Sequence, residues 1–338
     1  MFPKYTPTRK GCKVLPETYS MFKTQRAIKC HTLHLAAPTA NVFPLRCPVR
    51  EYEWIEPWSC DMGYSAMQTY VHGYSETESC RLADQAGTLI ELLHGDTAYP
   101  AGSRVLEAGC GVGAQTITLA RSSPGARFEC VDISSASLEK ARRMALEQRL
   151  TNVTFRQGDI YHLPYRTASF DHVFVCFVLE HLADPRLALD GFRRVLKPGG
   201  TLTAIEGDHG SYYCHPQSRA ADLAVQCLVD IQALAGGNAL IGRRLYPLLV
   251  EAGYTDVTVS PRMVYVDASR PDLVDGFTRK TFTAMVAGVK DQALAMGLID
   301  EPTWERGIAD LHRTTQADGT FYYTFFKGLG VKPWPNSG

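Results

Sequence analysis

Charge of one sign is missing from this chain: 35 Lys and Arg stand against 35 Asp and Glu over 338 residues, a formal net charge of zero. Without a basic excess there is no electrostatic footprint for a nucleic-acid backbone, so DNA or RNA is not an expected partner. No acidic tail appears either. Long apolar runs are missing as well. None approaches the roughly 18 residues of a membrane-crossing helix, so no membrane partner is expected. The ten cysteines are scattered, with no Cys-x-x-Cys pair and no Cys/His cluster at zinc spacing. That pattern gives no structural zinc site and points to reduced thiols in a cytoplasmic setting. Acids are nearly absent from the first fifty residues, where Glu17 faces nine Lys and Arg, and prolines recur at 3, 7, 16, 38, 44, 48 and 57. No helical or strand period holds there. Residues 1–60 therefore read as a disordered extension, a targeting segment or an upstream stretch preceding a start at Met62 or Met67. Residues 61–330 form the expected folded domain.

The densest signal is Val105-Leu-Glu-Ala-Gly-Cys-Gly-Val-Gly-Ala-Gln-Thr116. Val105 and Leu106 end an apolar strand, and Glu107 is an acid at its tip. Gly109, Gly111 and Gly113 form a turn, and a helix follows from Ala114. Glycine lets a ligand approach the backbone, and the helix start offers unpaired N–H groups. Such a turn binds a nucleotide-like cofactor. The spacing Gly109-x-Gly111-x-x-Ala114 also satisfies the dinucleotide fingerprint, and Asp132, 25 residues past Glu107, stands where an acid holds ribose hydroxyls. A nicotinamide cofactor and S-adenosylmethionine both fit to this point. Glu107 distinguishes them, because a carboxylate before the glycines repels a pyrophosphate and suits the ammonium and sulfonium of S-adenosylmethionine.

Further landmarks follow in order: Asn152 to Asp159 as a strand ending in an acid, Ser169-Phe-Asp-His-Val-Phe174 leading into an apolar strand, Leu179-Glu-His-Leu182, and Leu196-Lys-Pro-Gly-Gly200 before another strand. Over residues 100–206 this series resembles the class I S-adenosylmethionine-dependent methyltransferases, in their small-molecule, type 11/12-like branch. The resemblance implies an α/β fold: a Rossmann-like seven-stranded sheet with helices on both faces. It implies S-adenosyl-L-methionine as cofactor and a small-molecule methyl acceptor at oxygen, nitrogen or carbon, for a monomer or homodimer. It places Glu107 near the methionine end, the three glycines against the cofactor and Asp132 on the ribose hydroxyls. Ile133 packs on adenine, Asp159 and Ile160 lie at the adenine amino group, and Cys176 and Phe177 face the methionine portion. Tyr74 and Arg81, on an entry helix over 74–93 that Ser75 and Glu78 suit as a capping box, would meet the methionine carboxylate. No Asn/Asp-Pro-Pro-Tyr motif follows the fourth strand, where Cys176-Phe-Val-Leu179 stands. That argues against methylation of a nucleobase or glutamine amide. A protein acceptor and a nicotinamide-dependent oxidoreductase stay as alternatives.

Alternating strands and helices from 102 to 205 argue for a parallel sheet. The domain divides into a cofactor-covering helix (61–100), a cofactor-binding core (101–210) and helical insertions with late strands as a substrate lid (211–320). Helices are expected at 216–235, 241–252, 271–296 and 302–312, and strands at 257–266 and 320–327. About fifty residues separate the last two strands. An insertion of that length at a strand end makes a lid or substrate wall, or a dimer surface. Open α/β sheets bind ligands beyond the carboxyl ends of their strands, and there the fifth strand runs into Glu206-Gly-Asp-His-Gly-Ser-Tyr-Tyr-Cys-His215. A histidine of near-neutral pKa suits removal of an acceptor proton. His209 is the candidate base, with Asp208 or Glu206 to orient it, and Tyr213 or His215 as substitutes. Asp208 and His209 equally suit a loop tie. Arg243, Arg244 and Arg262 would grip an anion or form surface salt bridges.

Overall fold

The computed structural model describes Arg81 and residues 87–335. Residues 1–60, with their expected extension, lie outside the described residues, as do Tyr74 and the capping pair Ser75 and Glu78. The entry helix is present where described, at Arg81 and over 87–94; its 87–94 portion is α1 below.

The core alternates as the pattern predicts. In order come β1 (Arg104–Ala108), α2 (Ala114–Ser122), β2 (Arg127–Asp132), α3 (Ser135–Glu147), β3 (Val153–Gln157), β4 (Phe170–Cys176), α4 (Pro185–Val195) and β5 (Leu196–Gly207). All five strands pair in parallel in the order β3-β2-β1-β4-β5. The helices crossing between them supply the long connections that parallel pairing requires. Neighbouring strand residues point to opposite faces. Val105, Phe128, Phe174 and Ile205 enter one apolar layer with Leu89 and Leu93 of α1, while Leu106, Val131, Val175 and Ala204 enter the other with Leu189 and Phe192 of α4. Both layers are fully buried, and truncating a side chain such as Phe192 to alanine costs about 3–5 kcal/mol. Side chains cap the helices where the sequence places polar residues before apolar runs: Ser134 accepts from Ser137 N, Asp184 from Leu187 N and, on α5 (Arg219–Leu234), Ser218 from Ala221 N.

The second half departs from the sequence expectation in detail. A three-residue strand, β6 (Tyr213–His215), follows β5 and makes the sheet eight-stranded. After α5, a 3₁₀ turn at Ile241–Arg244 leads into α6 (Leu245–Glu251), where one helix was expected. Next come β7 (Thr255–Val266), α7 (Pro271–Leu273), a π-helical stretch at Val274–Thr283, α8 (Ala284–Ala287), α9 (Lys290–Ala295), α10 (Glu301–Arg313) and β8 (Thr320–Val331). The expected continuous helix over 271–296 is thus three short helices and a wide π turn, held by Thr281 Oγ1 donating to Gly276 O at 2.7 Å. The last strand in sequence is not last in space. β8 pairs antiparallel with β5 along Phe325–Val331, with β6 along Thr320–Tyr322, and with β7 along nearly its whole length. No helix among the described residues is long and apolar enough to cross a membrane.

Candidate functional site

The glycine turn sits where β1 ends. Gly109 N and Cys110 N both donate to Val131 O of β2, at 2.8 and 3.0 Å, so the turn folds across the neighbouring strand tip. Gly109, Gly111 and Gly113 all have positive φ, at 73°, 52° and 82°. They differ in what surrounds them. A Cβ at Gly109 would stand 2.5 Å from Val178 Cγ2, and one at Gly113 would stand 3.0 Å from Ala141 Cβ, whereas one at Gly111 meets no atom within 4 Å. The first and third glycines are there for close packing of the protein on itself. The second faces open space. Gly113 stands at the N-cap of α2 and gives no side-chain cap, so the N–H groups of the helix's first turn have no side-chain acceptor from that position.

Asp132, at the tip of β2, ties this turn together. Its Oδ2 accepts from Gly111 N at 2.7 Å and its Oδ1 from Ser134 N at 2.8 Å. Burial raises its pKa, while those N–H groups act in the opposite direction. Ile133, the next residue, is 61% exposed, an apolar side chain left uncovered beside the turn by the described residues. Glu107 lies beneath the glycines. Its Oε2 accepts from Thr116 Oγ1 of α2 at 2.6 Å. Burial pushes this carboxyl up to about 7, with the hydrogen bond from Thr116 acting the other way. Thr116 went unnoticed in sequence although it is the last residue of the glycine motif. At the end of β3, Asp159 accepts from Tyr161 N and pairs with His162 Nδ1, both at 2.9 Å. Ile160 beside it is half-buried. Cys176 is buried at the end of β4, and Phe177 follows with φ 56°, its ring 5.5 Å from that of Phe325 on β8.

These residues fit S-adenosylmethionine. An open glycine with helix-start N–H groups that Gly113 does not cap accepts the polar middle of the cofactor, the exposed Ile133 offers an apolar face, and a carboxylate that can ionise near neutrality lies below. Among the described residues no group of three His, Cys, Asp or Glu could hold a metal ion.

Past β5 the polar residues sort themselves differently from the sequence expectation. Asp208, 2% exposed, does not orient His209. It forms a two-pronged pair with Arg243, with Nε to Oδ2 and Nη2 to Oδ1 both 2.7 Å, and also accepts from Gly210 N. Glu206 is engaged by main chain: Val178, Leu179 and Glu180 N–H all donate to its carboxylate. Burial and the neighbouring Glu180 keep it protonated well above the ordinary range. His209 instead meets Tyr323 of β8, with Nδ1 2.7 Å from the phenol oxygen. Burial, reinforced by the positive charge of Arg81, holds its pKa down to about 4. Tyr213 points outward, 67% exposed, its ring 6.0 Å from Tyr322. His215 is exposed on the same short strand. The structure therefore does not bring His209, Asp208 and Tyr213 to one point.

Glu180 and His181 are both buried after β4. Burial pushes Glu180 up to about 7 and His181 down to about 3, and Arg81, buried on the entry helix, lowers both. Arg262 on β7 does not grip an anion from solvent. It pairs with Asp96, which also holds Lys327 Nζ of β8 at 2.5 Å. The partnerships of Tyr323 with His209 and of Arg243 with Asp208 were invisible in sequence, because each spans segments with no local signal joining them.

A family model described as a methyltransferase domain matches residues 106–204, the stretch from β1 to β5. Among curated proteins, the S-adenosyl-L-methionine-dependent Diels-Alderase iccD of Talaromyces variabilis is 42% identical over 221 residues, which cover 59% of this chain and 72% of that protein. A 37.1 kDa protein in transposon TN4556 of Streptomyces fradiae is 37% identical over 190 residues, 55% of this chain and 54% of that one. The 27-O-demethylrifamycin SV methyltransferase of Amycolatopsis mediterranei is 34% identical over 132 residues, 39% of this chain and 48% of that enzyme. The chain thus spans about half the length of the latter two relatives. The glycine turn over Glu107, the acid at the tip of β2, the strand order and these likenesses together make the chain a member of the class I S-adenosylmethionine-dependent methyltransferase family.

Proposed function

We propose that the chain binds S-adenosylmethionine across the tips of β1 to β4 and moves its methyl group to an oxygen, nitrogen or carbon of a small molecule. The observation that carries this reading is the contrast at the glycines, where the turn is packed tight at 109 and 113 and left open at 111. When bound, the cofactor supplies an electrophilic methyl on a sulfonium. Glu107 would attract the methionine ammonium and so be drawn towards its ionised form. Asp132, with each oxygen committed to one main-chain N–H, keeps further lone pairs for the ribose hydroxyls. Ile133 would cover one adenine face, with Asp159 and Ile160 at its amino edge and Cys176 and Phe177 beside the methionine chain. Arg81 and Tyr74 would meet the carboxylate. In the transfer the acceptor's lone pair forms the new bond, the S–CH₃ pair stays on sulfur as a thioether, and any acceptor proton leaves to solvent or a neighbouring base. The chain's own task is alignment and exclusion of water.

Calorimetry with S-adenosylmethionine, S-adenosylhomocysteine and NAD tests the reading. Micromolar affinity for the two adenosyl ligands, lost in Asp132→Ala, is the expected result. Binding of NAD, or of none of the three, would overturn it.

A second reading is favoured by one specific observation: the relative with 72% of its length matched is named for a cycloaddition that depends on the same cofactor. Under that reading the cofactor stays intact and the region past β5 holds a substrate in a reactive fold. Methyl-labelled S-adenosylmethionine separates the two, since label appears in the product only if the methyl moves. Label in a protein band would favour a protein acceptor instead.

A further inference from the structure

His209 is held from both ends of its residue. Its main-chain N–H donates to Ala239 O at 2.9 Å, and its ring, buried, meets Tyr323 at Nδ1 and the edge of Phe282 at 6.5 Å between centroids. The phenol of Tyr323 is buried too, and a buried hydroxyl must place its hydrogen. Among the described residues the side-chain acceptor within its reach is His209 Nδ1. The phenol therefore donates to the imidazole. An Nδ1 that accepts carries no proton. A neutral imidazole then carries its single proton on Nε2, and burial keeps this ring neutral. Nε2 is itself buried and has no partner among the described residues.

Ring surface borders the imidazole on the side of Phe282 and Tyr323. Phe282 contacts Tyr212 at 5.4 Å and Tyr323 at 5.6 Å between centroids, Phe277 contacts Tyr323 and Phe325 at 5.8 Å each, and Phe325 reaches Phe177 at the end of β4. The wall runs from the strand that borders the cofactor turn to the histidine. These rings form an aromatic face that ends at the His209 imidazole, with Arg81 and His181 near enough to interact with that ring electrostatically.

We propose that this wall takes an apolar, conjugated carbonyl compound and that His209 Nε2–H donates a hydrogen bond to its carbonyl oxygen. His209 is then a donor to the substrate and not the base that the sequence suggests. Tyr323 is a positioning residue that fixes the tautomer. Such a donor stabilises negative charge as it moves from the conjugated carbons to the oxygen, which serves methyl transfer to carbon and cycloaddition alike. The proposal deepens the functional reading above and rests on it only for the small-molecule ligand.

Two measurements test it. In ¹⁵N-histidine-labelled full chain, long-range ¹H–¹⁵N correlation identifies the protonated ring nitrogen of His209. The expected pattern is Nε2–H at neutral pH, shifting towards a tautomer mixture in Tyr323→Phe. An Nδ1–H pattern in the wild type would overturn the proposal. The second uses 4-phenylbut-3-en-2-one as probe and 1-phenyl-1-butene as its carbonyl-free counterpart, titrated with S-adenosylhomocysteine at saturation. The ketone should bind about tenfold more tightly, the order expected for one buried hydrogen bond, and its ¹³C=O stretch should fall in frequency. His209→Gln, which keeps an N–H donor, should retain part of this preference, and His209→Phe should abolish it. Equal binding of the two probes, or of neither, would overturn the ligand class. Calorimetry of S-adenosylhomocysteine alone reads the cofactor site separately, so failure there is distinguishable from failure here.

Discussion

At the glycine turn the groups that face the cofactor are main-chain N–H groups and one acid, drawn from β1, β2 and the residues just after them. Around His209 they are side-chain atoms from segments 114 residues apart in sequence, joined only when β8 enters the sheet. The first region is written in backbone conformation, the second in partnerships between side chains. A backbone site tolerates almost any side chain that does not need the occupied space, so relatives can share it while binding different acceptors. A side-chain site changes with each partner, and the acceptor half is where a family can vary its chemistry.

The largest effect that would sharpen this contrast is at Gly109. Alanine there forces a Cβ to 2.5 Å from Val178 Cγ2 at φ 73°, and we expect a loss of about 3 kcal/mol or more in urea unfolding. A stability within error of wild type would break the comparison on its cofactor side. In the acceptor half the corresponding blow is to a partner. Arg243→Ala leaves the buried Asp208 carboxylate with only the Gly210 N–H, and should cost about 2–3 kcal/mol. The double variant Asp208→Ala/Arg243→Ala should lose less than Arg243→Ala alone, and strict additivity in that cycle would show the pair to be unimportant.

Gly111→Ala separates binding from folding. Its Cβ meets nothing, so only the left-handed backbone cost of about 1 kcal/mol falls on stability. Affinity for S-adenosylhomocysteine should drop at least about tenfold, because the methyl enters the space assigned to the ligand. Unchanged affinity would move the cofactor elsewhere. Glu107→Gln tests the acid beneath. The folded pKa of about 7 lies above the ordinary 4.5, so the folded chain holds a proton that the unfolded chain has released. Stability from this group is present below pH 4.5 and is lost as pH rises through 7. The amide removes that loss. The variant should gain on the order of 1–3 kcal/mol over wild type at pH 8 and little at pH 5, measured without ligand. The same gain at both values would rule out ionisation as the cause. The smallest effect is expected at Tyr213→Phe. Its ring is mostly in solvent, so stability should change by less than about 0.5 kcal/mol. A large loss of turnover in that variant would restore Tyr213 to the chemistry.

The same contrast explains what the sequence disclosed. The five parallel strands, the capped helices and the glycine turn were legible because each depends on residues close together in the chain: continuous apolar runs in β1 and β4, Ser or Asp before α3 and α4, three glycines between an apolar strand and a helix. Asp132 was legible as the acid at the tip of β2, but not its grip on Gly111, which is a matter of how the turn folds back. Beyond β5 local reading weakened. Tyr213–His215 is too short and too polar for a strand signal, and pairs only because β8 offers an edge. The stretch from 274 to 283 has a helical pattern that does not reveal its π winding. Asp208 and His209 stand side by side in sequence, which invites pairing them, yet Asp208 caps the 3₁₀ turn that His209 opens, its carboxylate turned to Gly210 N. Each found its partner across the fold instead.

The place of β8 has a consequence for the order in which this molecule can come into being. The strands of the cofactor half occur in the first two thirds of the described chain and can pair as soon as they are made. The strand between β5 and β7 is synthesised after both. Until it arrives, β5 has an open edge, β7 has no neighbour, and Lys327 is not there to hold Asp96 beside α1. Biogenesis therefore passes through a species whose cofactor turn can already form while its acceptor wall has not been assembled. That half-made sheet, with its exposed edge, is the state most in need of protection from aggregation.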